Sequence, residues 1–107
     1  MNQTKANPFD LLCYDFDGVM TDNRVYVAQD GRETVAVNRS DGLAVAALRQ
    51  ACVTQIIMST EENQVVSARA AKLDIPALQG LDNKAEALQA YIFETDIDLA
   101  RTAFIGN

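Results

Sequence analysis

Short apolar runs rich in β-branched residues alternate with longer stretches whose apolar residues recur at helical spacing, and this alternation restricts the possible folds more than any other feature. Residues 9–14 read as a strand. Residues 24–28 and 34–37 are two short β-branched runs around Asp30-Gly31, a hairpin signal. Ser40 or Asp41 then caps a predicted helix in which Leu43, Ala47 and Ala51 recur on one face, with Ala44 and Leu48 beside them. Residues 53–58 form a second core strand, and residues 63–73 a helix with Val66, Ala70 and Leu73 on one side. Residues 75–78 give a short strand, Asp82 starts a helix with Ala85, Leu88 and Ile92 inward, and residues 102–105 close the pattern as a strand. Strands separated by helices imply an α/β, Rossmann-like parallel sheet.

At 107 residues the chain reads as one domain, residues 1–107, with residues 24–37 set apart as a hairpin flap. The net charge of −6 argues against nucleic acid or an anionic membrane as partner. No apolar run approaches a membrane span, and no basic-then-apolar leader opens the chain. Cys13 and Cys52 read as small buried hydrophobes, which suits a reduced, cytoplasmic protein. Histidine is absent altogether. That removes Ser-His-Asp and Cys-His nucleophiles, a phosphohistidine and a His-ligated zinc site. Any metal would be held by oxygen, which favours Mg²⁺.

The first strand runs into Asp15-Phe16-Asp17-Gly18. Asp is depleted in strands, and like charges at one strand mouth repel unless a cation is shared. Phosphoryl transfer with Mg²⁺ wants this arrangement: one carboxylate to attack phosphorus, a second to handle the leaving-group proton. Gly18 permits a tight exit. In a parallel sheet, ligands bind at the carboxyl ends of the strands. That rule gathers Asp15 and Asp17, Ser59 and Thr60, Lys84 and the terminal Gly106-Asn107 around one crevice.

These residues resemble the four ordered motifs of the haloacid dehalogenase superfamily: Asp15 to Asp22, then Ser59, Lys84 and Ile105-Gly106-Asn107. The hairpin, Asn38-Arg39-Ser40-Asp41-Gly42-Leu43 and Gln79-Gly80-Leu81-Asp82-Asn83-Lys84 are similar to the capless branch that holds the octulosonate phosphatases. The resemblance implies Asp15 as nucleophile and Asp17 as general acid and base. It implies Ser59 and Lys84 as partners of the phosphoryl oxygens, and Mg²⁺ held by Asp15, Asp17 and Asn107. Gly18, Arg39, Ser40, Thr60 and Glu61 are the candidate substrate contacts.

Two departures bear on the expectation. Octulosonate phosphatases carry Thr-Gly-Arg where this chain has Ser59-Thr60-Glu61, and Glu there is closer to relatives acting on nonulosonic 9-phosphates. Arg39 then becomes the candidate for the substrate carboxylate. Asn107 stands where the family places a carboxylate, and the last strand and helix of the fold are expected to be missing, as in a truncated enzyme. The resemblance also implies a homotetramer formed through the hairpin. Two other functions stand beside the phosphatase of a 2-keto-3-deoxy sugar acid. One is a silent oligomerisation module like that fused to animal sialic-acid cytidylyltransferases, and the other is a phosphoacceptor receiver domain. Ser59 as a helix cap, Lys84, Arg39 and Glu61 as solvated charges, and Asp22 as a loop-shaping residue are the structural alternatives.

Overall fold

In a computed structural model that describes residues 9–106, β1 (Leu11–Tyr14) lies inside a four-stranded sheet. On one side it pairs with β4 (Thr54–Met58), beyond which lies β5 (Ala77–Leu78); on the other it pairs with β6 (Thr102–Ile105). Every pairing is parallel, with Cys13 opposite both Ile56 and Phe104. The inner strands are buried on both faces, which is why their sequences read as continuous apolar runs rather than alternating ones. Leu11, Cys13, Ile56 and Met58 point to one face, where the half-buried Ala87, Leu88, Tyr91 and Ile92 of α3 (Lys84–Thr95) cover them. Tyr14 and Ile57 point to the other face, into a core closed by Val45 of α1 (Ser40–Gln50) and by Val66, Ala70 and Leu73 of α2 (Val65–Leu73). The expected sheet with helices on both faces is therefore what forms.

The strand order β5-β4-β1-β6 places a reversal of direction beside β1. From β1 the chain steps outward through β4 to β5, then α3 carries it back across to β6. A crevice opens at such a switch point, at the carboxyl ends of the strands. The next residue after β1 is Asp15.

Several expected details shift. The hairpin strands are only two residues each, β2 (Tyr26–Val27) and β3 (Glu33–Thr34), with Tyr26 opposite Thr34. Ala28 donates to the Arg32 carbonyl and Gly31, at φ +87°, to that of Ala28, so Asp30-Gly31 does form the turn. Neither face of this ribbon packs on a core, and so little of it pairs. In α1 the inward residue is Val45, 3% exposed, whereas Leu43 is 77% exposed. The helix is not capped by Ser40 or Asp41: Asn38 Oδ1 accepts from the Ser40 N–H at 2.9 Å and the Ser40 hydroxyl at 2.7 Å. In α3 the expected Ala85 is exposed, and Ala87 and Tyr91 take its place beside Leu88 and Ile92. That helix starts at Lys84, its first turn closed by Asn83 Oδ1 accepting from the Glu86 N–H at 3.1 Å. Cys13 is buried as expected, but Cys52 is exposed, in the left-handed turn that ends α1.

Candidate active site

The Asp15 N–H donates to the Ile105 carbonyl at 2.9 Å, so the β1–β6 ladder fixes the Asp15 backbone. Phe16 is fully buried and anchors the following turn, its carbonyl accepting from the N–H groups of Val19, Met20 and Thr21. Gly18 sits at φ +83°, a conformation that side-chain-bearing residues seldom take. Buried Thr21 finishes the loop: its Oγ1 accepts from the N–H groups of Gly18 at 3.2 Å and Asn23 at 3.0 Å. The sequence carried Thr21 only as part of the motif, with no role. A hydroxyl three residues after a glycine was the available signal.

Asp15 Oδ1 accepts from the Phe16 N–H at 2.8 Å and from Lys84 Nζ at 3.0 Å. Its Oδ2 meets no donor among the described residues. Burial pushes the Asp17 carboxyl above its ordinary value, and the negative charges of Glu61, Asp15 and Glu33 push the same way against the opposing Lys84. A carboxyl that holds its proton to higher pH is suited to donating it to a leaving group. The buried Cys13 thiol is pushed up to about 11, which makes it inert as a nucleophile.

Ser59 follows β4 directly and is 2% exposed. Its Oγ accepts from the Glu61 N–H at 3.0 Å, which leaves the hydroxyl proton free to be donated. Thr60 is exposed, while Glu61 turns back so that Oε2 accepts from the N–H groups of Glu62 and Asn63. Gln79 Nε2 donates to the carbonyls of Glu61 at 3.1 Å and Asn63 at 3.0 Å, tying this loop to the end of β5. Gln79 was not singled out as a site residue, because nothing in its sequence neighbourhood marks a bond across strands. Asp17 and Glu61 share the walls of a cleft of about 270 Å³ with Arg24, Val25 and Glu33 of the hairpin. Asn63 Nδ2 lies 3.5 Å from Glu33 Oε1 across it.

Arg39 lines a different and larger groove, about 490 Å³, beside Met20, Thr21, Asp22 and Val37. Ser40 begins α1 next to it, and neither residue lines the Asp17–Glu61 cleft. The cation on that cleft is Arg24. Asp22 Oδ1 accepts from the Arg24 N–H at 3.0 Å, the loop-shaping role. Asn107 lies outside the described residues.

A protein of known structure from Streptomyces avermitilis, assigned to the HAD family of hydrolases, superposes with a TM-score of 0.90 at 49% identity over 94% of this chain and 57% of that one. The chain belongs to the haloacid dehalogenase superfamily. It is also similar to the 3-deoxy-D-manno-octulosonate 8-phosphate phosphatase of Moraxella catarrhalis, at 33% identity and a TM-score of 0.89 over all of this chain and 63% of that one. That protein was solved with a magnesium ion, a phosphate ion and a KDO molecule. The Salmonella typhi phosphatase of the same name is 30% identical over 97% of this chain, and N-acylneuraminate cytidylyltransferase A of Danio rerio 27% identical over 91%. The chain spans 56% of the length of the first and 23% of the second. No family model matches the chain.

The superfamily's metal can be tested against the donors present. Among the described residues no three acidic or thiol side chains gather closely enough to hold an ion. The half-set that exists does suit a hard divalent cation. Asp15 Oδ2 meets no donor among the described residues, and Asp17, Glu61 and Glu33 bring further carboxylate oxygens near it, the oxygen chemistry such a cation takes.

Among the described residues, no helix is long and apolar enough to cross a membrane.

Proposed function

We propose that this chain carries the site of a Mg²⁺-dependent phosphomonoesterase acting on a phosphorylated 2-keto-3-deoxy sugar acid, octulosonic or nonulosonic. The observation that carries the proposal is the ion pair between Lys84 Nζ and Asp15 Oδ1, 3.0 Å across 69 residues of sequence. It joins an acid at the end of β1 to a cation at the N-terminus of α3, where free backbone N–H groups already favour an anion. One Asp15 oxygen attacks phosphorus while the bond to the sugar oxygen breaks. Asp17 gives its proton to that departing alkoxide. The Asp17 carboxylate then takes a proton from the water that attacks the aspartyl-phosphate, which frees phosphate and restores Asp15. Lys84 and the Ser59 hydroxyl offset the charge on the phosphoryl oxygens, the main demand of a loose transition state. Asp15, the Asp17 carbonyl and Asn107 would hold Mg²⁺, which when bound neutralises the charge shared by nucleophile and phosphate.

The sugar-acid reading is supported by the relatives' names and by Arg24, which lines the cleft and so takes the carboxylate-binding role that the sequence suggested for Arg39. The hairpin, with Val25, Tyr26 and Val27 all exposed, supports residues 24–37 as a flap that meets a neighbouring subunit in a cytoplasmic homotetramer. Neither nucleic acid nor membrane is a partner in this reading. The match within a cytidylyltransferase favours one second reading, a silent assembly module.

Phosphate release from octulosonate 8-phosphate and nonulosonate 9-phosphate, with and without Mg²⁺, tests the proposal. Mg²⁺-dependent turnover that vanishes in Asp15→Asn is the expected result. Absence of turnover together with a stable tetramer in sedimentation would leave the assembly module standing.

A further inference from the structure

We propose that Phe104 and Gly106 together position the Lys84 ammonium, an inference that rests on the phosphatase reading above. Lys84 Nζ lies 5.6 Å from the centroid of the Phe104 ring, within reach of a cation–π contact, while it bonds Asp15 Oδ1 on its other side. The aliphatic stem of Lys84 runs along an apolar groove of about 260 Å³ whose other walls are Met58, Ala85, Leu88 and Phe104. The ammonium is therefore held between a carboxylate and an aromatic face, above a stem packed on carbon. This matters because Lys84 lies on α3, the helix that buries least, and needs a second contact to hold its long chain in one rotamer.

An independent observation shows that the ring's place is provided for. A Cβ added to Gly106 would stand 2.7 Å from Phe104 Cε2 and 3.3 Å from Cδ2. No real Cβ comes that near, so Phe104 lies over Gly106 only because residue 106 has no side chain. Strand β6 thus reaches the site twice. Its Ile105 carbonyl fixes the Asp15 backbone, and its Phe104 ring steadies the cation that Asp15 binds. Phe104 touches neither substrate nor phosphorus and is a positioning residue.

Reductive methylation with ¹³C-formaldehyde places NMR-visible methyl groups on the lysines and keeps their charge, and Lys84→Arg identifies the Lys84 signal. In the unaltered chain that signal is displaced from that of exposed Lys72 by the ring current. Phe104→Leu and Gly106→Ala bring it back, and Phe104→Tyr retains the displacement. On unmodified protein, kcat falls about 3- to 10-fold in Phe104→Leu with KM unchanged, and Phe104→Tyr restores it. A Lys84 signal that stays put in both Phe104→Leu and Gly106→Ala overturns the proposal, as does a moved signal with unchanged kcat. Thermal melting of each variant reports folding, and Gly106→Ala displaces the ring without deleting it should Phe104→Leu fail to fold. A signal that moves as expected in a chain with no phosphatase activity keeps the aromatic contact and overturns the phosphatase reading instead.

Discussion

On the face of the sheet covered by α1 and α2, Tyr14, Phe16, Ile57, Val66 and Leu73 are sealed into one dry core; on the opposite face α3 contributes no buried residue, and its Phe93 is 88% exposed. The site draws on both. Asp15, Asp17 and Ser59 sit on loops rooted in the strands and their buried flanks, whereas Lys84 comes from α3, a helix that covers fully buried strand residues with half-buried ones of its own. The contrast teaches that stability and the electrostatics of the site rest on different parts of the molecule. A substitution can damage one and spare the other.

The widest gap should appear in unfolding. Ile57→Ala, in the dry core, is expected to cost about 2–5 kcal/mol in urea titration, and Leu88→Ala on the α3 face about 1 kcal/mol. Equal losses would break the comparison. Lys84→Met comes next and inverts the pattern: a loss of roughly 10²-fold in kcat with stability within about 1 kcal/mol of the parent, since the ion pair is partly exposed. A smaller effect has a sign fixed by linkage. The Asp17 pKa is raised in the folded chain, so folding binds its proton more tightly and the ionised form is penalised. That penalty is absent below the ordinary Asp range and complete above the raised value. Asp17→Asn should therefore raise Tm at pH 7 and leave it unchanged near pH 3; a gain at both would point to packing instead of charge. Least of all, Tyr26→Ser in the exposed hairpin should alter monomer stability by under about 0.5 kcal/mol, read by melting at low concentration.

What could be read from sequence follows the same division. The inner strands were legible because burial on both faces demands unbroken apolar runs, and residues 53–58 contain the whole of β4; the edge strand β6 matches residues 102–105 end to end. Helix α2 was legible because Val66, Ala70 and Leu73 make a stripe with polar residues between. Helix α1 was not. Residues 44–47 are all small or apolar, so several rotations about the axis look alike, and the larger Leu43 drew the prediction away from Val45. Gln55 was invisible for another reason. Buried inside β4, it accepts from the Tyr14 hydroxyl at 2.7 Å and donates to the Val45 carbonyl at 3.0 Å, a three-element junction that no local pattern announces. In the candidate site, strand-end placement and the family motifs suggested Asp15, Asp17, Ser59 and Lys84, and of these the structure pairs Lys84 with Asp15 directly. The motifs did not tell Arg24 from Arg39, because which arginine lines the cleft depends on how the hairpin folds over.

Strand β1 is synthesised first, yet each of its partners arrives late: β4 after the hairpin and α1, and β6 only at the end of the described chain. A nascent chain on the ribosome therefore carries an apolar strand with both edges open until β4 has emerged, and with one edge open until β6 follows. High contact order of this kind slows folding and exposes sticky intermediates. Strand β1 needs shielding through that interval, and the backbone of Asp15 at its end gains its ladder partner only when β6 docks.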